Sequence, residues 1–181
     1  MSMYNDLEQV LITKEQIAER ISELGKILDN DYQGKTPLFV CILKGSSLFF
    51  ADLVRAMSVQ MEFDFMAISS YGSATVSSGE VRLIKDLDKS IENRHVVIVE
   101  DIVDTGHTLN YLIKNLSARN PASVKVCTLL NKECRRVVDI TPDYVGFEIG
   151  DHFVLGYGLD FDEKYRHLPE IGVLKPEVYK G

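Results

Sequence analysis

The residues best suited to chemistry follow directly after the most apolar run of the chain. Residues 96–99 are all aliphatic, a pattern typical of a strand buried on both faces. From Leu109 onward, apolar residues recur at helical spacing. The turn between this strand and this helix is rich in acids, hydroxyls and glycine: Glu100, Asp101, Asp104, Thr105, Gly106 and Thr108.

Such a turn is suited to bind an anion. The first N–H groups of a helix have no partner inside the helix and point towards the turn before it. Thr105 and Thr108 add hydroxyl donors, and Gly106 lets the backbone approach a ligand closely. The three acids would repel a phosphate that they faced. We therefore expect them to contact hydroxyls, a metal ion or a titrating group beside the phosphate.

Further strands and helices must hold this turn in place. Continuous apolar runs predict buried strands at Leu38–Leu43 and at residues 124–130. A capping box at Thr13 predicts a helix that ends near Asp29, and a second helix should follow the turn at residues 44–46. This alternation predicts an α/β fold, with a parallel sheet flanked by helices and ligands at the carboxyl ends of its strands.

Weaker patterns predict the remaining elements. Further strands are expected at Leu7–Ile12, at residues 61–66, and at residues 144–149 and 153–157. The alternation in residues 61–66 favours an edge or hairpin position. We expect a solvated turn at residues 86–88, a basic surface turn that includes Arg135 and Arg136, and an irregular tail marked by Pro169 and Pro176.

Composition narrows the class of protein. The 181 residues fit one domain, 1–181, and a net charge of -7 argues against a partner such as nucleic acid or an anionic membrane. No apolar run is long enough for a membrane span. Cys41, Cys127 and Cys134 form no C-x-x-C pair, which favours reduced thiols in the cytoplasm. The four histidines show no metal-ligand spacing, so we expect no zinc site.

The turn after residue 99 also resembles a known signature. Two acids ending an apolar strand, followed by Asp-Thr-Gly-x-Thr, resemble the phosphoribosyl diphosphate (PRPP) signature of type I phosphoribosyltransferases. Four other stretches are similar to the bacterial hypoxanthine-guanine branch of that family: Leu43-Lys44-Gly45-Ser46, Ser69-Ser70-Tyr71-Gly72, Leu129-Leu130-Asn131-Lys132, and residues 153–160 with Tyr165-Arg166. The resemblance extends over residues 7–176.

The resemblance implies a reaction and a set of roles. A 6-oxopurine would displace pyrophosphate from PRPP and give a nucleoside monophosphate. PRPP would bind at Glu100, Asp101, Asp104, Thr105, Gly106, His107 and Thr108, with Asp104 accepting the N7 proton of the purine. Pyrophosphate would bind at Lys44, Gly45, Ser46, Ser70, Tyr71 and Arg166. The purine would contact Lys132, Phe153, Val154 and Asp160, and Mg²⁺ would bind Glu100, Asp101 and Asp160.

The same resemblance implies further features. Both chain ends would form a small hood, a cis peptide would join Leu43 and Lys44, and residues 69–80 would form a lid over the reacting centre. We also expect a homodimer or homotetramer. His107 and Ser46 depart from the usual pattern, which often has Lys, Asn or Leu at the first position and glycine at the second. Both positions should act through backbone N–H groups, so we expect mild effects.

Two alternatives stay open at this point. A PRPP-binding regulator could reuse the fold without purine chemistry, although the acidic charge argues against a nucleic-acid partner. A phosphoribosyltransferase could also act on another base, such as xanthine or uracil. Lys132 with Phe153 favours a 6-oxopurine but does not rank hypoxanthine, guanine and xanthine.

Overall fold

Two β-sheets organise the chain, one of six strands and one of three. They are seen in a computed structural model that describes residues 3–70 and 81–179, apart from the side chain of residue 70. In chain order the elements are β1 (Leu7–Ile12), α1 (Lys14–Asp31), β2 (Leu38–Leu43), α2 (Ser47–Arg55), β3 (Glu62–Ser70), β4 (Val81–Lys85), β5 (His95–Val103), α3 (His107–Ser117), β6 (Ser123–Asn131), β7 (Tyr144–Glu148), β8 (Val154–Leu155), β9 (Ile171–Leu174) and α4 (Pro176–Tyr179).

The large sheet has the strand order β4-β3-β2-β5-β6-β7. Five of its strands run parallel: β3, β2, β5, β6 and β7. The sixth, β4, pairs antiparallel with β3 at one edge. The predicted parallel α/β sheet is therefore confirmed. Because β2, β5 and β6 are parallel, the turns that follow them meet at one edge of the sheet.

Helices cover both faces of this sheet, as predicted. Val97 and Val99 of β5 pack in one apolar cluster with α1 and α2. Val96 and Ile98 point the other way and pack with three leucines of α3 that are at most 2% exposed. Alternate side chains of a strand face opposite sides of its sheet, so one aliphatic strand serves both cores. Burying each leucine contributes about 1.5–3 kcal/mol.

The small sheet joins the two ends of the chain, with β9 between β1 and β8. Its pairing spans almost the whole sequence, since Leu7 lies opposite Leu174. Tyr165 donates a hydrogen bond from its hydroxyl to Asp6 Oδ2 at 2.7 Å. We call this sheet and residues 156–168 the hood. A Cβ added to Gly158 would lie 2.0 Å from the carbonyl oxygen of Gly45, so the hood packs against the turn after β2.

The alternation in residues 61–66 predicted an edge or hairpin position, and β3 does form a hairpin with β4, which is the edge strand. Two other local predictions were wrong. The strand predicted at residues 153–157 covers only Val154–Leu155, because Gly156 and Tyr157 have φ angles of 95° and 49° and turn the chain. Instead of an irregular tail, Ile171–Leu174 forms the buried central strand of the hood.

The predicted capping box agrees with the structure. Thr13 and Gln16 form the capping box of α1. Cys41 and Cys127 are buried in β2 and β6, and the three cysteines are free thiols. Within residues 3–70 and 81–179, no helix is long and apolar enough to cross a membrane.

Candidate active site

The turn after β5 requires glycine at one position. Gly106 has φ of 90° and precedes the first residue of α3. A Cβ at Gly106 would lie 2.9 Å from Arg136 Cδ and 3.0 Å from Ile140 Cγ2. A side chain there would thus meet both an unfavourable conformation and a steric clash. Gly106 lets the chain turn from strand to helix with the first amides of α3 left for a ligand.

Two neighbouring acids of β5 lie beside this turn. Glu100 is 6% exposed, and its burial, together with the charge of Asp101, raises its pKa well above the ordinary value. Burial also raises the pKa of Asp101 to about 6, and Asp160 adds to this effect. A Cβ on Gly45 would lie 1.7 Å from Asp101 Oδ2, so this carboxylate touches the turn after β2. Negative charge is therefore concentrated where the two turns meet.

We expect Glu100→Gln to stabilise the ligand-free protein at neutral pH. The pKa of Glu100 is raised in the folded state, so ionisation costs folding free energy as pH rises above the ordinary pKa of 4.5. Glutamine cannot ionise, and each kcal/mol recovered should raise Tm by about 2–4 °C. The Tm difference should be largest near neutral pH and vanish near pH 4, as measured by calorimetry in a chelator.

Glu133→Gln is the matched control, because Glu133 is exposed. It should leave Tm nearly unchanged across the same pH range. A Glu100→Gln protein that unfolds below the wild-type Tm at neutral pH would show that the buried charge is not a cost to the fold.

The turn after β2 is held from behind by a buried serine. The Leu43–Lys44 peptide is cis, as the resemblance implied. Ser46 is fully buried, and its hydroxyl donates to the Ile42 carbonyl at 2.6 Å. It also lies 3.3 Å from Cys41 Sγ. The serine side chain does not cap α2 and instead fixes the turn, whose cavity-facing residues are Lys44 and Gly45.

These turns and the hood enclose a cavity of about 560 Å³. Ten residues predicted to bind ligands line it: Lys44, Gly45, Glu100, Asp101, Asp104, Thr105, Gly106, Thr108, Asp160 and Arg166. Ser46, His107, Lys132, Phe153 and Val154 do not line it. The side chain of Ser70, Tyr71 and the predicted lid beyond it lie outside the described residues.

An ion-pair network closes the hood side of the cavity. Arg166 Nη2 lies 2.8 Å from Asp160 Oδ1, and Arg166 Nη1 donates to the Gly158 carbonyl at 2.7 Å. Glu163 contacts both Lys44 Nζ, at 2.8 Å, and Arg166 Nη2, at 3.3 Å. Sequence reasoning missed Glu163, which no motif distinguishes from other surface acids. Its carboxylate holds together the two cations predicted for pyrophosphate.

The residues predicted for the purine lie at the next strand end. Lys132 is 6% exposed, its backbone N–H donates to the Val103 carbonyl at 2.9 Å, and its Nζ donates to the His152 carbonyl at 2.8 Å. Phe153 is 41% exposed and stacks on Tyr179, with ring centroids 4.9 Å apart. Val154 pairs with Val173 in the hood. Lys132 thus adjoins the turn after β5, although it does not open into the cavity.

The predicted basic surface turn was only partly right. Arg135 is half exposed, with its Nε 3.6 Å from Asp104 Oδ1. Arg136 is largely buried and donates from Nε to the Asp104 carbonyl at 2.9 Å. Sequence reasoning missed this second arginine because an Arg-Arg pair after a strand has the same pattern whether it is solvated or buried.

The acids also fit a cation that arrives with its substrate. Within the described ranges, no three His, Cys, Asp or Glu side chains are grouped to hold a metal ion by themselves. The carboxylates of Glu100, which is buried, and of Asp101 nevertheless lie on the cavity wall, and among the described residues no neighbouring cation lowers the raised pKa of Glu100. Magnesium prefers one or two carboxylates together with substrate oxygens and water, so these residues suit it.

Comparisons with known proteins agree on one family. A family model described as "Phosphoribosyl transferase domain" matches residues 8–162. The hypoxanthine-guanine phosphoribosyltransferase of Bacillus subtilis is 52% identical over 99% of this chain and 99% of its own length. The bifunctional protein TilS/HprT of Listeria monocytogenes is 51% identical over 98% of this chain, but the chain spans only 28% of that protein's length.

Solved structures give the same result. A hypoxanthine phosphoribosyltransferase from Staphylococcus aureus superposes with a TM-score of 0.95 at 51% identity, covering 99% of this chain and 97% of that chain. The hypoxanthine phosphoribosyltransferase of Trypanosoma cruzi, solved in complex with the product IMP, has a TM-score of 0.92 at 45% identity and covers 99% of this chain and 100% of that chain.

Proposed function

This chain belongs to the phosphoribosyl transferase family, and we propose that it transfers the 5-phosphoribosyl group of PRPP to hypoxanthine or guanine. The products are IMP or GMP and pyrophosphate, a step of purine salvage. One observation carries the proposal: a single cavity joins the helix-start turn, the acids Glu100 and Asp101, and the hood pair Asp160 and Arg166. Named relatives that match the chain end to end support the base.

The turn after β5 suits the phosphoribosyl half of PRPP. Amides from Thr105 to Thr108 would hold the 5′-phosphate at the start of α3. Glu100 and Asp101 would accept hydrogen bonds from the ribose hydroxyls, which also accounts for two acids near an anion site. Asp104 would take the N7 proton of the purine, as a general base within the same turn.

The other side of the cavity suits the leaving group. Backbone N–H groups of the turn at residues 44–46 and the guanidinium of Arg166 would bind pyrophosphate. Asp160, with Glu100 and Asp101, would hold Mg²⁺. When bound, the metal ion neutralises charge that develops on the leaving oxygens. PRPP must displace the contacts of Glu163 with Lys44 and Arg166, since pyrophosphate needs the same cations.

A panel of bases with PRPP and magnesium tests the function. Lys132 can only donate, so it can form a hydrogen bond with a 6-oxo group, whereas the 6-amino group of adenine offers it no acceptor. Such a loss costs about 1–3 kcal/mol, so kcat/KM for adenine should be roughly tenfold to a hundredfold lower than for hypoxanthine or guanine.

Each outcome of the panel separates the alternatives. Comparable kcat/KM for adenine would rule out the assigned purine site, and a preference for xanthine would change the base. A chain that binds PRPP but forms nucleotide with no base would be a regulator of the same fold.

We also propose a cytoplasmic homodimer or homotetramer. Phe63 on β3 and Ile84 on β4 are 56% and 66% exposed, although Phe63 contacts Phe50 and Phe65 edge to face. A second copy of the chain would cover these exposed apolar side chains. Free buried Cys41 and Cys127 suit a reducing compartment. A monomeric mass in sedimentation velocity would contradict the oligomer.

A further inference from the structure

The segment after β6 lies against the turn that would bind phosphate. None of residues 133–140 lines the cavity, whereas residues 103–106 do. A Cβ on Gly106 would contact Arg136 and Ile140. The cavity and this segment are therefore on different sides of the turn.

Arg136 is the centre of the contact. Its Nε donates to the Asp104 carbonyl at 2.9 Å, and its Nη2 donates to the Val103 carbonyl at 3.3 Å. Nη2 also donates to Asn131 Oδ1, and Nη1 donates to the Ile140 carbonyl. One guanidinium thus ties the end of β5, the end of β6 and the following segment together.

The same segment holds a third carbonyl of the turn. The Thr105 carbonyl accepts hydrogen bonds from the N–H groups of Val137 at 3.1 Å and Val138 at 3.2 Å. The Val103 carbonyl accepts one more, from the Lys132 N–H at 2.9 Å. Three successive carbonyls, those of Val103, Asp104 and Thr105, therefore all point towards residues 132–138.

Because each peptide is planar, the directions of these carbonyls also determine the directions of the N–H groups in the same peptides. Leu43–Lys44 is the one cis peptide in the described ranges, so the peptides of the turn are trans, and each N–H points opposite to the carbonyl of the same peptide. Fixing the carbonyls of residues 103–105 aims the N–H groups of residues 104–106 away from Arg136. Among the described residues, these three N–H groups have no hydrogen-bond acceptor.

We infer that Arg136 is a positioning residue that aims the phosphate-binding amides before the ligand arrives. This rests on the proposed use of PRPP. Arg136 does not line the cavity, so it acts only through the backbone. A lysine keeps the charge but concentrates its donors at one atom, whereas the guanidinium spreads five donors over a plane. Lysine therefore cannot hold carbonyls that lie in several directions.

Binding of PRPP with magnesium, and of IMP, tests the role by calorimetry. Arg136→Lys and Arg136→Ala should weaken both ligands by a similar factor of about tenfold to a hundredfold, since both carry the 5′-phosphate and a misplaced backbone is costly. KM for hypoxanthine should change little. Guanidinium at a low, non-denaturing concentration should restore part of the affinity in Arg136→Ala but none in Arg136→Lys, whose side chain fills the space.

Arg119→Lys is the matched control. Arg119 also makes several hydrogen bonds, to both oxygens of Asp86 and to Asn115, but neither partner belongs to the turn after β5. Wild-type affinity in Arg136→Lys, or an equal loss in Arg119→Lys, would overturn the inference. If the wild-type protein itself binds neither PRPP nor IMP, the proposed function fails instead, and the variants are not needed to show it.

Discussion

Asp104→Asn is expected to lower kcat for nucleotide formation by a factor of about 10²–10⁴, the usual range for loss of a general base. Asparagine preserves the size and polarity of the side chain but cannot accept the N7 proton. Asp104 Oδ1 has no hydrogen-bond partner in the described part of the chain, and Arg135 Nε lies 3.6 Å away. The residue lines the cavity, so this oxygen suits a proton acceptor.

PRPP affinity separates this role from a structural one. The amides that would bind phosphate belong to the backbone, whose carbonyls are held by residues 132–138, so the dissociation constant should stay within about threefold while kcat falls. Asp139→Asn is the control, since Asp139 is an exposed acid of the adjoining segment. If Asp104→Asn turns over within about threefold of wild type, Asp104 is not the base.

Local pattern predicted the parts of the fold that short stretches of chain determine. The aliphatic run of β5 and the leucine spacing of α3 each have a strong period, and both elements form where that period occurs. The strand β9 has only four apolar residues between prolines, which is too short for a period. It forms because β1, from the other end of the chain, and β8 both pair with it.

The candidate site divides in the same way. Motifs identified the turns after β2 and β5, because a strand followed by polar residues and a helix determines such turns locally. The hood brings Asp160 and Arg166 to the same cavity as these two turns. Only the family resemblance predicted that arrangement from the sequence. Arg136 had no signal, since its partners are main-chain carbonyls, and carbonyl positions have no residue type to recognise.

The charges around the cavity make the leaving group the most demanding part of the proposed reaction. Four acids line it, Glu100, Asp101, Asp104 and Asp160, against the two cations Lys44 and Arg166. Those cations already contact Glu163. Pyrophosphate leaves with several negative charges, and the side chains alone place more negative than positive charge beside it. We therefore expect the proposed reaction to need a divalent cation.

Removing divalent metal with a chelator should abolish nucleotide formation, and added Mg²⁺ should restore it.

Arg166→Ala should lower kcat/KM for PRPP by about a hundredfold, as expected for loss of a preorganised cation. Arg166 both faces the cavity and holds Asp160 at 2.8 Å. Steady-state assays with varied PRPP measure the effect, and calorimetry confirms that the variant is folded. Lys164→Ala is the control, since Lys164 is exposed and pairs with Asp162, and it should retain wild-type kcat/KM. Nucleotide formation at full rate without divalent metal, or by Arg166→Ala, would show that this clamp does not stabilise the leaving pyrophosphate.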